Sequence, residues 1–260
     1  MNSISLKYFF LFLILITITQ ASYSQKLVTI DYTSYYDFNF PKKIPSQLIC
    51  NENESVFVEY ISKAEDWNTN KSEETILGVS INDFENTFNS TIVTESFFYT
   101  KNALLKTIIF NDIFKGKNVW IKDTFEKIEW QITKESKNIA NFKCYKAIGK
   151  FRGNTWSVWF SYNLPMPYGP WKLQGLPGVI LQASTLNNQI QFLANKVTYI
   201  NDFKSIKPDI VSDTIEFKEF IDFKYDTTPY SDFNRGEVPQ NIILKDPMEP
   251  TYEWEQEPKK

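Results

Sequence analysis

Between residues 142 and 162 the chain alternates side chains with a period of two, interrupted by one turn signal. Phe142, Cys144, Lys146 and Ile148 alternate with Lys143, Tyr145 and Ala147. Arg152-Gly153-Asn154 marks a reversal. In the returning segment Trp156, Val158, Phe160 and Tyr162 share one face, while Thr155, Ser157 and Ser161 take the other. Successive residues of a strand point to opposite faces, so this pattern predicts an antiparallel hairpin with one buried side. The same period recurs over 27–38 (Val28, Ile30, Tyr32), 55–62 (Val56, Val58 and Tyr60 opposite Phe57, Glu59 and Ile61) and 91–99 (Val93, Phe97, Tyr99). It recurs again over 118–132, with Trp120, Ile128 and Trp130 in phase. A second hairpin is expected from 179–184 and 189–200, its turn at Leu186-Asn187-Asn188. The apolar phase slips between Phe192 and Val197, which predicts a bulge near Ala194-Asn195.

The strands therefore lead to a mainly β fold, a single curved antiparallel sheet with one or two short helices. Asp213-Thr214-Ile215-Glu216 has the spacing of a capping box, and Phe217, Phe220, Ile221 and Tyr225 follow at helical intervals, predicting a helix near 214–224. A second short helix is expected over 80–89. From 226 to 260 the chain is turn-rich and polar, and the acidic tract 248–260 is expected to be poorly ordered.

Residues 1–24 read as an export signal. Lys7 gives the basic n-region, an apolar stretch runs from 8 to 18, and Ser22 and Ser24 place small residues before a cleavage point at Gln25. The apolar stretch is short of the ~20 residues a spanning helix needs, and no second one follows. The mature chain, one domain over 25–225 with its C-terminal tail, is expected to be a monomer without a transmembrane segment. In an exported protein the two cysteines, Cys50 and Cys144, form either a disulfide or two separate buried thiols. A bridge would close a long loop, stabilising the fold by roughly 4 kcal/mol in the chain-entropy model.

Composition limits the chemistry. The chain has no histidine, so it cannot build a Ser-His-Asp or Cys-His centre or the usual histidine-bearing zinc sites. Lysines are scattered and the net charge is −3, which argues against nucleic acid. No phosphate loop, dinucleotide fingerprint or calcium loop is present, so neither cofactor nor metal is expected. Glu59, Asp112, Asp123, Glu126 and Glu129 occupy surface-like positions, and none stands out as a raised-pKa acid. Aromatic residues are plentiful. Trp156 and Tyr162 suit a β core, whereas Tyr168, Trp171 and Lys172 lie in a Pro-rich loop and are candidate binding residues.

That loop carries the most distinctive stretch. Pro177-Gly178 offers a fixed φ followed by a residue free to take φ > 0, as a type II turn requires, and Val179-Ile180-Leu181 behind it suits a buried strand. Gly169-Pro170-Trp171-Lys172-Leu173, followed by Gly175-Leu176-Pro177-Gly178-Val179-Ile180, resembles the defining motif of the GLPGLI family, exported proteins of Gram-negative bacteria. The resemblance continues through Trp130, 142–147, Gly153, Trp159 and Pro165-Met166-Pro167, and Asp246-Pro247-Met248-Glu249 is similar to that family's C-terminal ending. It implies a periplasmic or outer-membrane-associated protein with a curved sheet of the open half-barrel kind, and brings no catalytic residues. With the missing catalytic groups, this points to a binding or carrier protein for an apolar ligand or an envelope partner. A carboxylate-dependent hydrolase of envelope polymers and an accessory subunit of an outer-membrane complex are the alternatives.

Overall fold

In a computed structural model the described residues are 27–38, 41–60, 96–114, 117–200, 208, 210, 213–226 and 246–255. The export signal, the helix expected over 80–89 and residues 91–95 lie outside them. The strands are β1 (Leu27–Tyr36), β2 (Lys42–Cys50), β3 (Glu54–Tyr60), β4 (Ser96–Asn102), β5 (Thr107–Phe114) and β6 (Lys117–Thr124). They continue with β7 (Gln131–Ile139), β8 (Phe142–Phe151), β9 (Asn154–Ser161), β10 (Val179–Thr185), β11 (Ile190–Ile200) and β12 (Thr214–Glu216). Among the described residues one helix, α1 (Phe217–Asp226), and a 3-10 turn (Glu253–Glu255) follow.

All twelve strands join one sheet in the order β12-β6-β5-β4-β3-β2-β1-β11-β10-β9-β8-β7. The sheet is curved and open, as expected, and does not close into a barrel. Every pairing is antiparallel except that of β12 with β6. The predicted hairpins form, β8 with β9 and β10 with β11. The bulge falls where the apolar phase slips: Asp31 faces Lys196 and Tyr32 faces Ala194, leaving Asn195 without an opposite residue on β1.

Directly opposed residues point to the same face, so the register defines an inner row. Ile215, Ile121, Phe110, Tyr99, Phe57, Leu48 and Ile30 stand side by side across seven strands. A second inner row, two residues along, runs Val28, Cys50, Ser55, Lys101, Ile108 and Asp123. Two bodies cover this face. Residues 162–178 pack Leu164, Met166, Tyr168, Trp171, Leu173 and Leu176 into the main core against Trp156, Phe160 and Phe192. α1 and the segment 246–255 pack Phe217, Phe220, Ile221 and Tyr252 against Phe110 and Ile121.

Three expectations are corrected here. Residues 214–216 are a short parallel strand and not a helix start. Ile215 completes the inner row beside Ile121, and Glu216 reaches Lys122 at 3.0 Å, so the ladder satisfies the backbone and α1 begins at Phe217. The C-terminal tract is docked over 246–255, with Glu249 and Tyr252 buried. Its acidity is a matched charge, as shown below, and residues 227–245 and 256–260 lie outside the described set. Tyr162 sits past the end of β9 and is half exposed, its ring edge-on to Tyr145 and Phe160. Both cysteines are buried free thiols. Cys50 Sγ lies 3.8 Å from Met166 Sδ and Cys144 Sγ turns to the Phe142 carbonyl, so the bridge is not formed and the apolar-thiol alternative holds.

Candidate functional site

The loop 162–178 is a folded-back structure in its own right. Tyr168 bridges Gln174, the Gly175 amide donates to the Pro167 carbonyl at 2.9 Å, and the Ile180 amide donates to the Tyr168 carbonyl at 3.0 Å. Left-handed backbone falls at Trp171 (φ 50°) and Gly175 (φ 93°), and not at Gly178. The expected type II turn at Pro177-Gly178 is thus corrected. Gly178 is a glycine because a Cβ there would lie 2.0 Å from the Ser161 carbonyl oxygen, and Gly169 is packed likewise on Ile180. Pro170, Leu176 and Pro177 belong to this framework, Leu176 within the core. From below, the fully buried Lys101 ammonium donates to the carbonyls of Gly169 (2.5 Å) and Leu173 (3.1 Å). Burial lowers its pKa to about 7.

Of the three candidate binding residues, Tyr168 is fully enclosed in the main core. Trp171 is largely buried against Trp156 and Phe151 and shows part of its surface to a cleft. Lys172 is 1% exposed and is the centre of an ion cluster. Its Nζ lies 2.8 Å from Asp123 Oδ2 and 2.8 Å from Glu249 Oε1, and 4.0 Å from the ring centroids of both Phe110 and Phe217. Arg152 completes the cluster from the β8–β9 turn, donating to Asp123 (2.9 Å), Glu249 (3.0 Å) and Glu253 (2.6 Å). Burial works against the charge of Asp123, but Lys172 and Arg152 outweigh it and hold its carboxyl below the usual range. For Glu249 burial prevails, and with Asp123 nearby its pKa is raised. The cluster ties four separate parts of the chain together: β6, the β8–β9 turn, the loop and the C-terminal segment.

Between the two covering bodies the described residues leave part of the inner face open. The cleft there has a volume of about 430 Å³, inside the ~300–1,000 Å³ range of small-molecule sites. Tyr36, Phe97, Tyr99 and Phe110 of the sheet line it, facing Phe220 and Tyr225 of α1 and Met248 of the C-terminal segment. Glu59 also lines it, although it is only 5% exposed. Its Oε1 accepts the Tyr36 hydroxyl at 2.5 Å, and burial raises its pKa against the lowering effect of the Tyr36 and Ser34 hydrogen bonds. Across the cleft Lys224 pairs with Asp112 at 2.8 Å. Aromatic rings, a desolvated carboxyl and hydrogen-bonding groups at the rim suit a ligand with a flat apolar side and polar substituents.

The surface-like reading of Glu59 and Asp123 is corrected: both are buried on the inner face. Glu59 had a signal, since it alternates in phase with Phe57 and so follows a core residue on the same face. Lys101 had the same one, in phase with Phe97 and Tyr99. Arg152 and Glu249 carried no periodic signal of burial, and were marked only as a turn residue and as part of the C-terminal ending, because their partners are distant in sequence. Among the described residues no group of His, Cys, Asp and Glu has the arrangement of a metal centre, and no helix is long and apolar enough to cross a membrane.

The fold and site define a class: an open, curved antiparallel sheet whose inner face is shared between a Gly/Pro-rich loop and a helix, with a cleft between them. The chain belongs to the N-glycanase peptide, N-terminal domain family (PNGase F-II type), whose model matches residues 66–222. Structures of PNGF-II in the P21 and C2 space groups align with TM-scores of 0.52 and 0.50 at 16% and 15% identity, over 77% and 74% of this chain. These alignments take in 33% and 31% of the PNGF-II chains, so this chain spans about a third of the length of the structures it matches. At that identity the likeness shows the fold. An outer membrane lipoprotein-sorting protein domain from Vibrio parahaemolyticus aligns over 75% of this chain with a TM-score of 0.25 and 6% identity, too slight to argue from. No curated protein sequence matches the chain.

Proposed function

We propose that this is an exported, non-catalytic binding protein of the cell envelope, whose ligand site is the cleft between the loop and α1. The carrying observation is the 430 Å³ opening itself, where aromatic side chains of the inner face line open space. The GLPGLI resemblance of 169–180 falls inside the matched stretch 66–222 and supports an exported bacterial setting. The family's name supports a glycan or glycopeptide as ligand, since one sugar face is apolar enough to lie on Phe97 or Tyr99 while its hydroxyls meet the polar rim.

Titration of the purified protein with free glycans and with glycopeptides, followed by tryptophan fluorescence, tests this. Saturable binding is expected, weakened by about ten-fold or more in Phe97→Ala, the loss of one well-placed ring contact. Binding that ignores Phe97→Ala, or no binding by either class, contradicts it.

Glu59 favours a second reading, a carboxylate-dependent hydrolase, because it lines the cleft and burial pushes its pKa upward, the direction a general acid requires. Release of free glycan from a glycopeptide, abolished in Glu59→Gln, would establish it. Wild-type protein that binds and releases nothing would retire it.

A further inference from the structure

We propose that the cleft accepts a cationic group, a primary or quaternary ammonium, seated against Glu59 and the rings beside it. This rests on the cleft being the ligand site and adds the chemistry of what enters.

The charges on the cleft wall do not balance. Among the described residues four carboxylates line it, Glu59, Asp112, Asp246 and Glu249, against the three ammonium groups of Lys42, Lys172 and Lys224. Two cations are already committed. Lys172 is held by Asp123 and Glu249 on the side of the ion cluster, and Lys224 by Asp112 at 2.8 Å. Lys42 stands exposed at the mouth, opposite Tyr36 in register. Among the described residues Glu59 has no ion-pair partner. Its carboxylate receives hydroxyl hydrogen bonds, from Tyr36 at 2.5 Å and from Ser34, and no cation.

A carboxylate taken out of water without a cation is costly, and the group responds by holding its proton. The raised pKa of Glu59 is that response, with burial as its first cause. Among the described residues no cation on the neighbouring strands relieves it, since Glu59 faces the Tyr36 hydroxyl on β1, Ser46 on β2 and the Phe97 ring on β4. The charged groups across the cleft are Asp112, Lys224 and Asp246, of which the first two cancel and the third adds to the negative side. A neutral ligand would leave the Glu59 carboxyl without a cation, and an anionic one would add negative charge beside it. An ammonium group supplies the missing cation, favours the ionised form of Glu59 and gains the ring quadrupoles of Tyr36, Phe97 and Tyr99.

Choline and its neutral isostere 3,3-dimethylbutan-1-ol separate charge from shape, and choline keeps its charge at every pH used. Calorimetric titration of the full chain is expected to show choline binding more than about ten-fold more tightly than the alcohol near neutral pH, the scale of a desolvated cation–π contact. Because an ammonium favours the ionised form of Glu59, whose pKa burial raises, choline affinity should weaken as the pH is lowered, with the alcohol unchanged. Glu59→Gln should erase the preference for choline. Should that variant fail to fold, the isostere comparison and pH profile on wild-type protein still decide. Equal binding of the two probes, or no choline binding while glycopeptides bind, overturns the cationic ligand and leaves the cleft as the site. Silence of the cleft toward every probe overturns both readings.

Discussion

Gly175 and Gly178 stand three residues apart and are glycines for different reasons. At Gly175 the backbone is left-handed with open space around it, the nearest side-chain atom to a built Cβ being 3.8 Å away. Alanine there should cost about 1–2 kcal/mol, the ordinary strain of φ > 0. At Gly178 the obstacle is the Ser161 carbonyl oxygen, 2.0 Å from a Cβ and fixed in the sheet. Gly178→Ala should be the worse of the two by more than about 2 kcal/mol in urea unfolding, since overlap with backbone cannot be relieved by a rotamer change. Equal losses would contradict this. Lys101 gives a pH test. Its folded pKa of about 7 lies below the ~10.4 of a free lysine, so above pH 7 the unfolded chain binds the extra proton. Stability should therefore rise between pH 7 and about 8.5, by at most ~1.4 kcal/mol per unit, and the rise should vanish in Lys101→Met. Above about pH 9 Cys50 acts in the opposite sense, because its thiol is pushed up to about 12 in the fold and an unfolded thiol ionises first.

At the scale of elements, the C-terminal segment depends on the ion cluster. Glu249 neutralises two buried cations, and Tyr252 fills the space beside Phe217. Ending the chain after residue 245 would leave Arg152 and Lys172 with Asp123 alone, and a broken buried pair typically costs ~3–5 kcal/mol. That truncation should lower the unfolding midpoint sharply, and Glu249→Gln should do so in part; a truncated chain as stable as the full one would refute the cluster's role. How far such elements can be read from sequence follows from the range of their contacts. The β8–β9 and β10–β11 hairpins and the bulge at Asn195 were legible, because alternation and turn residues lie within a dozen positions of each other. β12 was not, since three residues with a capping pattern became a strand only through Ile215 meeting Ile121. The tail was misread for a related reason: acidity and prolines resemble a solvated end unless Arg152 and Lys172 are known to wait for it. Lys172 was singled out for its place in a loop, yet it is a buried tie, and Glu59 was overlooked although its phase with Phe57 put it on the core face.

For the whole molecule, curvature and incomplete coverage make the site. Among the described residues the loop 162–178, α1 and the C-terminal segment leave part of the inner face of the sheet uncovered, and the cleft lies there. The outer strand β7 is exposed and charged, with Lys134, Glu135 and Lys137 along a register break between Ile132 and Ser136, which discourages pairing with another chain. The central claim, that ligand enters between loop and helix, can be read from two methionine methyl groups. Met248 lines the cleft, whereas Met166 lies in the core against Cys50. In methyl NMR of methionine-labelled protein, added glycopeptide or choline should shift Met248 and leave Met166 in place. A bound ligand that leaves the Met248 methyl unmoved would show that this cleft is not where it binds.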